Sequence, residues 1–420
     1  MIRHVSNARN RTHHLLTIAT AVLLALLVLA PTRATGREIG PDADLCGEIR
    51  AMRPGEELVL APGDYQGPCA IRNGGTAGAP LVIRAADPTR RPRIQYTGRV
   101  SNVFEVRASH VTIRGLEFGP TQQDVDVIRI FKANGVTIED CHFTQLGGIA
   151  VVANHSSLRG LVVRRNVIRS STATAMYFGC HDGAGCVVSG LVVEGNFIED
   201  ISAPDPEIGY GVEVKLNSSA IIRDNTIVRT KGPGIMIFGS QDLVTTSLIE
   251  RNVTIGSRTS GRIVIGGGPA IVRNNIAVSN GEGGIALEDY KKRGLLRAVT
   301  VVGNTTYGNR LGGVTVPESG FSGIIIVNNA ADAGTAKAYP GPQKGLRLAG
   351  NIDCSAMFCF ANPAQYDLSP NAASLLRGAG VPWSEEWMPR EDYFGVRRAS
   401  PPTVGAIEKP ARPLNLTPQP

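Results

Sequence analysis

The sequence predicts an all-β protein wound as a single parallel β-helix, a solenoid of about ten coils with a short N-terminal capping helix. Three observations predict it. A short apolar segment ending in Asn recurs at steps of 23 to 30 residues, as in "LVVRRNVI" (161–168), "LVVEGNFI" (191–198), "AIIRDNTI" (220–227) and "AIVRNNIA" (270–277). About a dozen residues ahead of most members lies a second short strand, such as "AMYFGC", "GVEVKL" or "GIMIFG". Both kinds of segment are rich in Val and Ile, alternate with period two and are punctuated by Gly and Asn, which is strand and turn chemistry rather than helix.

In chain order, the first element is a candidate export signal. A basic stretch, "MIRHVSNARNRTHH", precedes the apolar run "LLTIATAVLLALLVLA" (15–30), and Thr32 and Ala34 are small residues at a candidate cleavage site. This order reads as a signal peptide over 1–34. The protein is therefore expected to be secreted or periplasmic. The alternative is an N-terminal membrane anchor, if segment 15–30 is retained. The chain carries +7, from 43 basic and 36 acidic residues, and four of its arginines fall in the signal, leaving +3. No extended basic run or helix stripe survives, so no nucleic-acid partner is expected.

The solenoid domain is expected over 35–408. Its N-terminal cap occupies about 40–70 and its C-terminal closing segment about 352–408, and "KPARPLNLTPQP" (409–420) reads as a disordered tail, with its prolines and few apolar residues. An exported chain permits disulfides. Cys180 with Cys186 and Cys354 with Cys359 are close enough in sequence to be local staples, and Cys46 with Cys69 would tie down the cap. Other pairings of the six remain open.

The Asn column comprises Asn166, Asn196, Asn225, Asn252, Asn275, Asn304 and Asn329, with Leu116 and Cys141 in the same place upstream. Coils stack at about 4.8 Å, so amides at one bend can hydrogen-bond along the column. Cys141 then reads as a buried thiol, not a nucleophile.

Alternation fixes which side chains leave the coil. With Val212, Val214 and Leu216 inward, Glu213 and Lys215 point outward. The same register gives an outer column containing Glu105, Arg129, Tyr177, Met236, Phe238 and Glu288. His181 and Asp182 lie beside it in "CHDGAGC", and Tyr210 and Asn217 flank the central strand. Glu213, Lys215, Tyr177, His181 and Asp182 are the candidate catalytic groups. Arg129, Tyr210, Asn217, Met236, Phe238 and Glu288 are the candidate substrate contacts. Glu213 and Lys215 also have a plain reading as a solvated surface pair, of little energetic weight. Met236 and Phe238 read either as an apolar stripe for stacking sugar rings or as the floor beneath a covering loop.

The motifs at both ends resemble those of the right-handed parallel β-helix proteins, the pectate-lyase-like superfamily. "LCGEIRAMRPGEELVLAPGDYQGPC" (45–69) is similar to the capping helix and first turn of such proteins, and "EDYFGVRRASPPTVGAIE" (391–408) to their closing segment. The right hand of the solenoid is implied by this resemblance. "VEVKLNSSAIIRDNTI" is similar to the catalytic coil of chondroitinase-B-like and alginate-lyase-like members. That likeness implies β-elimination on an acidic, uronate-containing polysaccharide, with Lys215 as general base and Glu213 as a ligand of Ca²⁺. A monomer is expected. The sequence departs from the pattern in the next coil, where "GIMIFGS" stands in place of an Arg-His-Gly-like triplet. A lysine base needs its pKa brought down by a cation or a nearby arginine, and this coil supplies no arginine. The rival readings are a non-catalytic carbohydrate-binding or envelope scaffold and a glycoside hydrolase. The latter needs two carboxyls about 5–9.5 Å apart.

Overall fold

In the computed structural model the described residues are 36–418, without 182, 184, 258–261, 333–343, 357 and 383. The expected signal segment 1–34 and Asp182 lie outside them. Short strands feed three parallel sheets of thirteen, twelve and ten strands, each strand pairing with its counterpart one coil away. One coil shows the plan: Leu191–Glu194 joins the thirteen-stranded sheet, Phe197–Ile201 the twelve-stranded and Val212–Val214 the ten-stranded. The turns number about twelve rather than ten. The N-terminal coils lack the Asn that made the central repeats readable, and Asn351 ends the column at a step of 22 residues, shorter than theirs.

The interior is a continuous stack of Val, Ile, Leu and Phe, with Phe118 and Phe143 stacked at 5.2 Å. The Asn ladder is complete from Asn166 through Asn329 and continues to Asn351. Each Nδ2 donates to the next Oδ1 at 2.9–3.0 Å, and each Oδ1 also accepts the preceding Asn backbone N–H. Cys141, at the head of the column, donates its N–H to Asn166 Oδ1. The left-handed backbone at this bend belongs to the residue before each Asn, as at Arg165, Gly195, Asp224 and Arg251. A second, shorter ladder pairs Asn280 with Asn309 at 2.9 Å.

The ends are closed by capping structures. Helix Leu45–Ala51 is capped by Asp44, and the Cys46–Cys69 disulfide holds it to the first coils. Cys180–Cys186 and Cys354–Cys359 are also bonded, and Cys141 is the free, buried cysteine. In the closing segment, Asp392 accepts backbone N–H groups from Phe394, Val396 and Glu408, and buried Arg398 pairs with Glu408. Residues 409–418 depart from the disorder that composition suggests. Leu414 is buried in one cluster with Tyr366 and donates its N–H to the Tyr366 carbonyl, and Leu416 packs against the same cluster. Two leucines give this Pro-rich stretch an apolar face.

Candidate functional site

The outer column of the ten-stranded sheet is fixed by strand pairing. Arg129 opposes Val152, then follow Tyr177, Glu213, Met236, Val264 and Ala286 on successive coils. Glu213 and Lys215 do leave the coil, but they are not solvated. Their side chains are 3% and 4% exposed, and Lys215 Nζ lies 2.5 Å from Glu213 Oε1. The ammonium sits between two rings, 4.2 Å from the centroid of Phe238 and 4.9 Å from that of Tyr177. Burial raises the Glu213 carboxyl above the ordinary glutamate range, against the opposing pull of Lys215.

What covers the pair is an apolar cluster outside the coil: Tyr210, Leu216, Met236, Phe238, Val264, Ala286 and Leu295, with Tyr290 against it. Leu216 was expected inward. The strand ends at Val214, so the alternation stops before Leu216, which joins the outer cluster instead. Met236 and Phe238 are 3% and 2% exposed, so they are the floor beneath a covering segment and not an open stripe. Tyr210 is buried as well, and its phenol is pushed up first by burial, then by Glu213.

Other sequence candidates are engaged elsewhere. Glu288 pairs with Arg262, and Asn217 exchanges hydrogen bonds of 2.9 Å with Gln241 on the next coil. His181 is exposed in its stapled loop. Arg129 is partly buried and donates to Asn102, Asn154 and Asp126. It borders a groove of about 870 Å³ that runs past Asp126, Gln145, Thr172 and Glu207. Tyr177, half-buried, lies two rungs beyond Arg129 and one before Glu213.

Sequence reasoning missed the segment around Tyr290 and Leu295. Its signal was indirect: Met236, Val264 and Ala286 are successive apolar residues facing outward, which calls for a cover.

The donor set does not fit Ca²⁺. One Glu213 oxygen is taken by an ammonium, and among the described residues no three Asp, Glu, His or Cys side chains gather to hold a metal. A second groove, of about 890 Å³, lies between the closing segment and the thirteen-stranded sheet. There Arg251, Arg273 and Arg398 are paired with Asp224, Glu250 and Glu408.

Residues 126–331 match the family model described as the right handed beta helix region. Among solved structures, pectate lyase Pel9A superposes with a TM-score of 0.54 at 15% identity, covering 90% of this chain and 97% of its own. An alginate lyase from Paenibacillus sp. str. FPU-7 gives 0.45 at 18% identity, over 76% and 98%. The alginate lyase AlyGC gives 0.47 at 14%, over 89% and 57%. Comparison with curated protein sequences gave no match. The chain is a right-handed parallel β-helix, the fold it shares with pectate lyase Pel9A.

Proposed function

We propose that this is an exported polysaccharide-active protein that cleaves an acidic, uronate-containing glycan by β-elimination at the Glu213–Lys215 pair. One observation carries the reading: a desolvated ion pair on the outer face of the solenoid, clasped by Tyr177 and Phe238. Stability alone does not account for such a pair, because apolar residues of similar volume are often equally or more stable in its place. Three disulfides support export, and the shared fold with a pectate lyase supports the substrate class.

The chemistry follows from the charges. Elimination requires neutralising the uronate carboxylate, removing the C5 proton and releasing the 4-linked oxygen. Because the donors do not suit a cation, Lys215 supplies the positive charge for the carboxylate. Glu213, its basicity raised by burial, takes the C5 proton. The C5–H electron pair forms the C4–C5 double bond as the C4–O bond breaks. Tyr177, at the half-open edge, donates a proton to the departing oxygen. This reverses the roles that the family resemblance implies for Glu213 and Lys215.

The sealing of the pair favours a second reading, a binding protein whose glycan rests on the open coils without reaching Glu213. Purified protein is incubated with alginate, pectate and glycosaminoglycans, following the ultraviolet absorbance of the unsaturated uronate. Absorbance that grows with native protein and is lost in Glu213→Gln and Lys215→Met supports elimination. Binding with a flat trace overturns it and leaves the second reading.

A further inference from the structure

The outer column is asymmetric about the ion pair. On one side, Tyr177, Arg129 and Glu105 are partly exposed, with Val152 buried between Arg129 and Tyr177, and Arg129 borders the open groove. On the other, the outward positions Met236, Val264 and Ala286 are 3%, 2% and 1% exposed, because residues 288–295 lie across them.

That segment is firmly attached. Glu288 N–H donates to Ile265 O, Tyr290 N–H to Gly266 O, and Leu295 O accepts from Gly268 N–H. Asp289 binds the backbone N–H groups of Gly294 and Leu295, which closes the segment on itself. The Tyr290 ring meets Phe238 edge-on at 4.5 Å. Small residues permit this fit: a Cβ on Gly266 would lie 2.9 Å from Met236 Cε and 3.0 Å from Tyr290 Cβ. At the tip, Lys291 and Lys292 are exposed and both have left-handed backbone. Arg293 is half-buried, and its Nη1 has no hydrogen-bond partner.

We propose that residues 288–295 are a fixed end wall to the glycan groove. The protein then engages the end of an acidic polysaccharide chain, and Lys291, Lys292 and Arg293 meet the carboxylates of its terminal unit. A chain lying along the column from the Arg129 side passes over buried Val152, reaches Tyr177 at the edge of the sealed ion pair and stops, since the three rungs beyond Glu213 are occupied by protein. The basic tip gives the wall a preference for uronate over neutral ends. The inference rests on the polysaccharide reading above but not on its catalytic step.

The test is calorimetric titration of the native protein with size-fractionated oligoguluronates, oligogalacturonates and glycosaminoglycan fragments, cold and at short times to limit turnover. End engagement gives one protein per chain at every length. Stoichiometry that rises with chain length overturns the wall while leaving the polysaccharide reading intact. Failure of every acidic fraction to bind overturns both. The triple variant Lys291→Ala, Lys292→Ala, Arg293→Ala alters the tip and leaves the apolar cluster in place. It should weaken binding of uronate fragments by about tenfold or more, the scale of one lost charged hydrogen bond, and leave carboxyl-reduced fragments unaffected. Equal affinity for uronate fragments in native and variant protein overturns the basic contact.

Discussion

Replacing Lys215 by Met separates the function of the ion pair from its effect on stability. The substitution keeps the length of the side chain between Tyr177 and Phe238 but leaves Glu213, 3% exposed, without its counter-charge. Breaking one partner of a buried pair costs about 3–5 kcal/mol. At about 2.1 cal/mol/K of unfolding entropy per residue, that lowers Tm by roughly 5 °C in a domain of this size. The double variant Glu213→Leu, Lys215→Met should recover this loss and be neutral or more stable than native by about 1–4 kcal/mol, while losing all activity on glycan. The deficit of the single variant depends on pH. Burial already raises the Glu213 carboxyl, and removing Lys215 removes the two effects that oppose the rise. The folded state then binds the proton more tightly than the unfolded one, so the deficit is small at acid pH. It grows as pH climbs from the unfolded value of about 4.3 through the raised folded value. Thermal unfolding of the three proteins at several pH values measures all of this. Equal destabilisation of single and double variants, or a deficit that shrinks as pH rises, would refute the reasoning.

Asn225→Ala should cost about 3–5 kcal/mol, because it orphans the Asn196 N–H, one Asn196 amide hydrogen and the Val193 carbonyl, each buried; chemical denaturation against native protein checks it, and a loss below about 1 kcal/mol would mean the ladder is replaceable by packing. Cys141 is fully buried, with its thiol pushed up to about 12, so it should resist iodoacetamide in the folded protein and react on unfolding. Burial, then Arg91 and Arg169, lower His142 to about 4. Its imidazole signals should stay neutral in a titration down to that value. The depressed value means stability present above the unfolded pKa, about 6.5, is lost as pH falls through this window, and His142→Gln should remove that part of the acid sensitivity.

The coil and its ladder were legible because both are periodic. Val and Ile at period two fix the inside, and one amide per turn marks the bend, so strand pairing between Tyr177, Glu213 and Met236 follows from spacing alone. Asn280 and Asn309 escaped notice because a column of two members has no visible period. The alternation also gave Glu213 and Lys215 their outward direction but not their burial. Direction is a property of one strand, whereas burial depends on what packs over it. Here that is Tyr290 and Leu295, which follow the Ala286 strand three coils further on. Leu216 was misassigned for a related reason: period two holds only while the strand lasts.

The burial of the pair and the wall across the column are one arrangement. Tyr290 contacts Phe238, and Phe238 faces the Lys215 ammonium, so a continuous line of contact joins the basic tip to the charged centre. The solenoid beneath cannot supply that link, because its rungs repeat whatever happens outside. The ladder holds neighbouring coils in register, and the rest depends on which outward positions are polar and which are covered. Along this column partly exposed Arg129 and Tyr177, with buried Val152 between them, precede Glu213, and apolar residues under a cover follow it. In the proposed reading a glycan entering from the Arg129 side meets Tyr177, the last partly exposed rung before the sealed pair, which is where its terminal unit would rest.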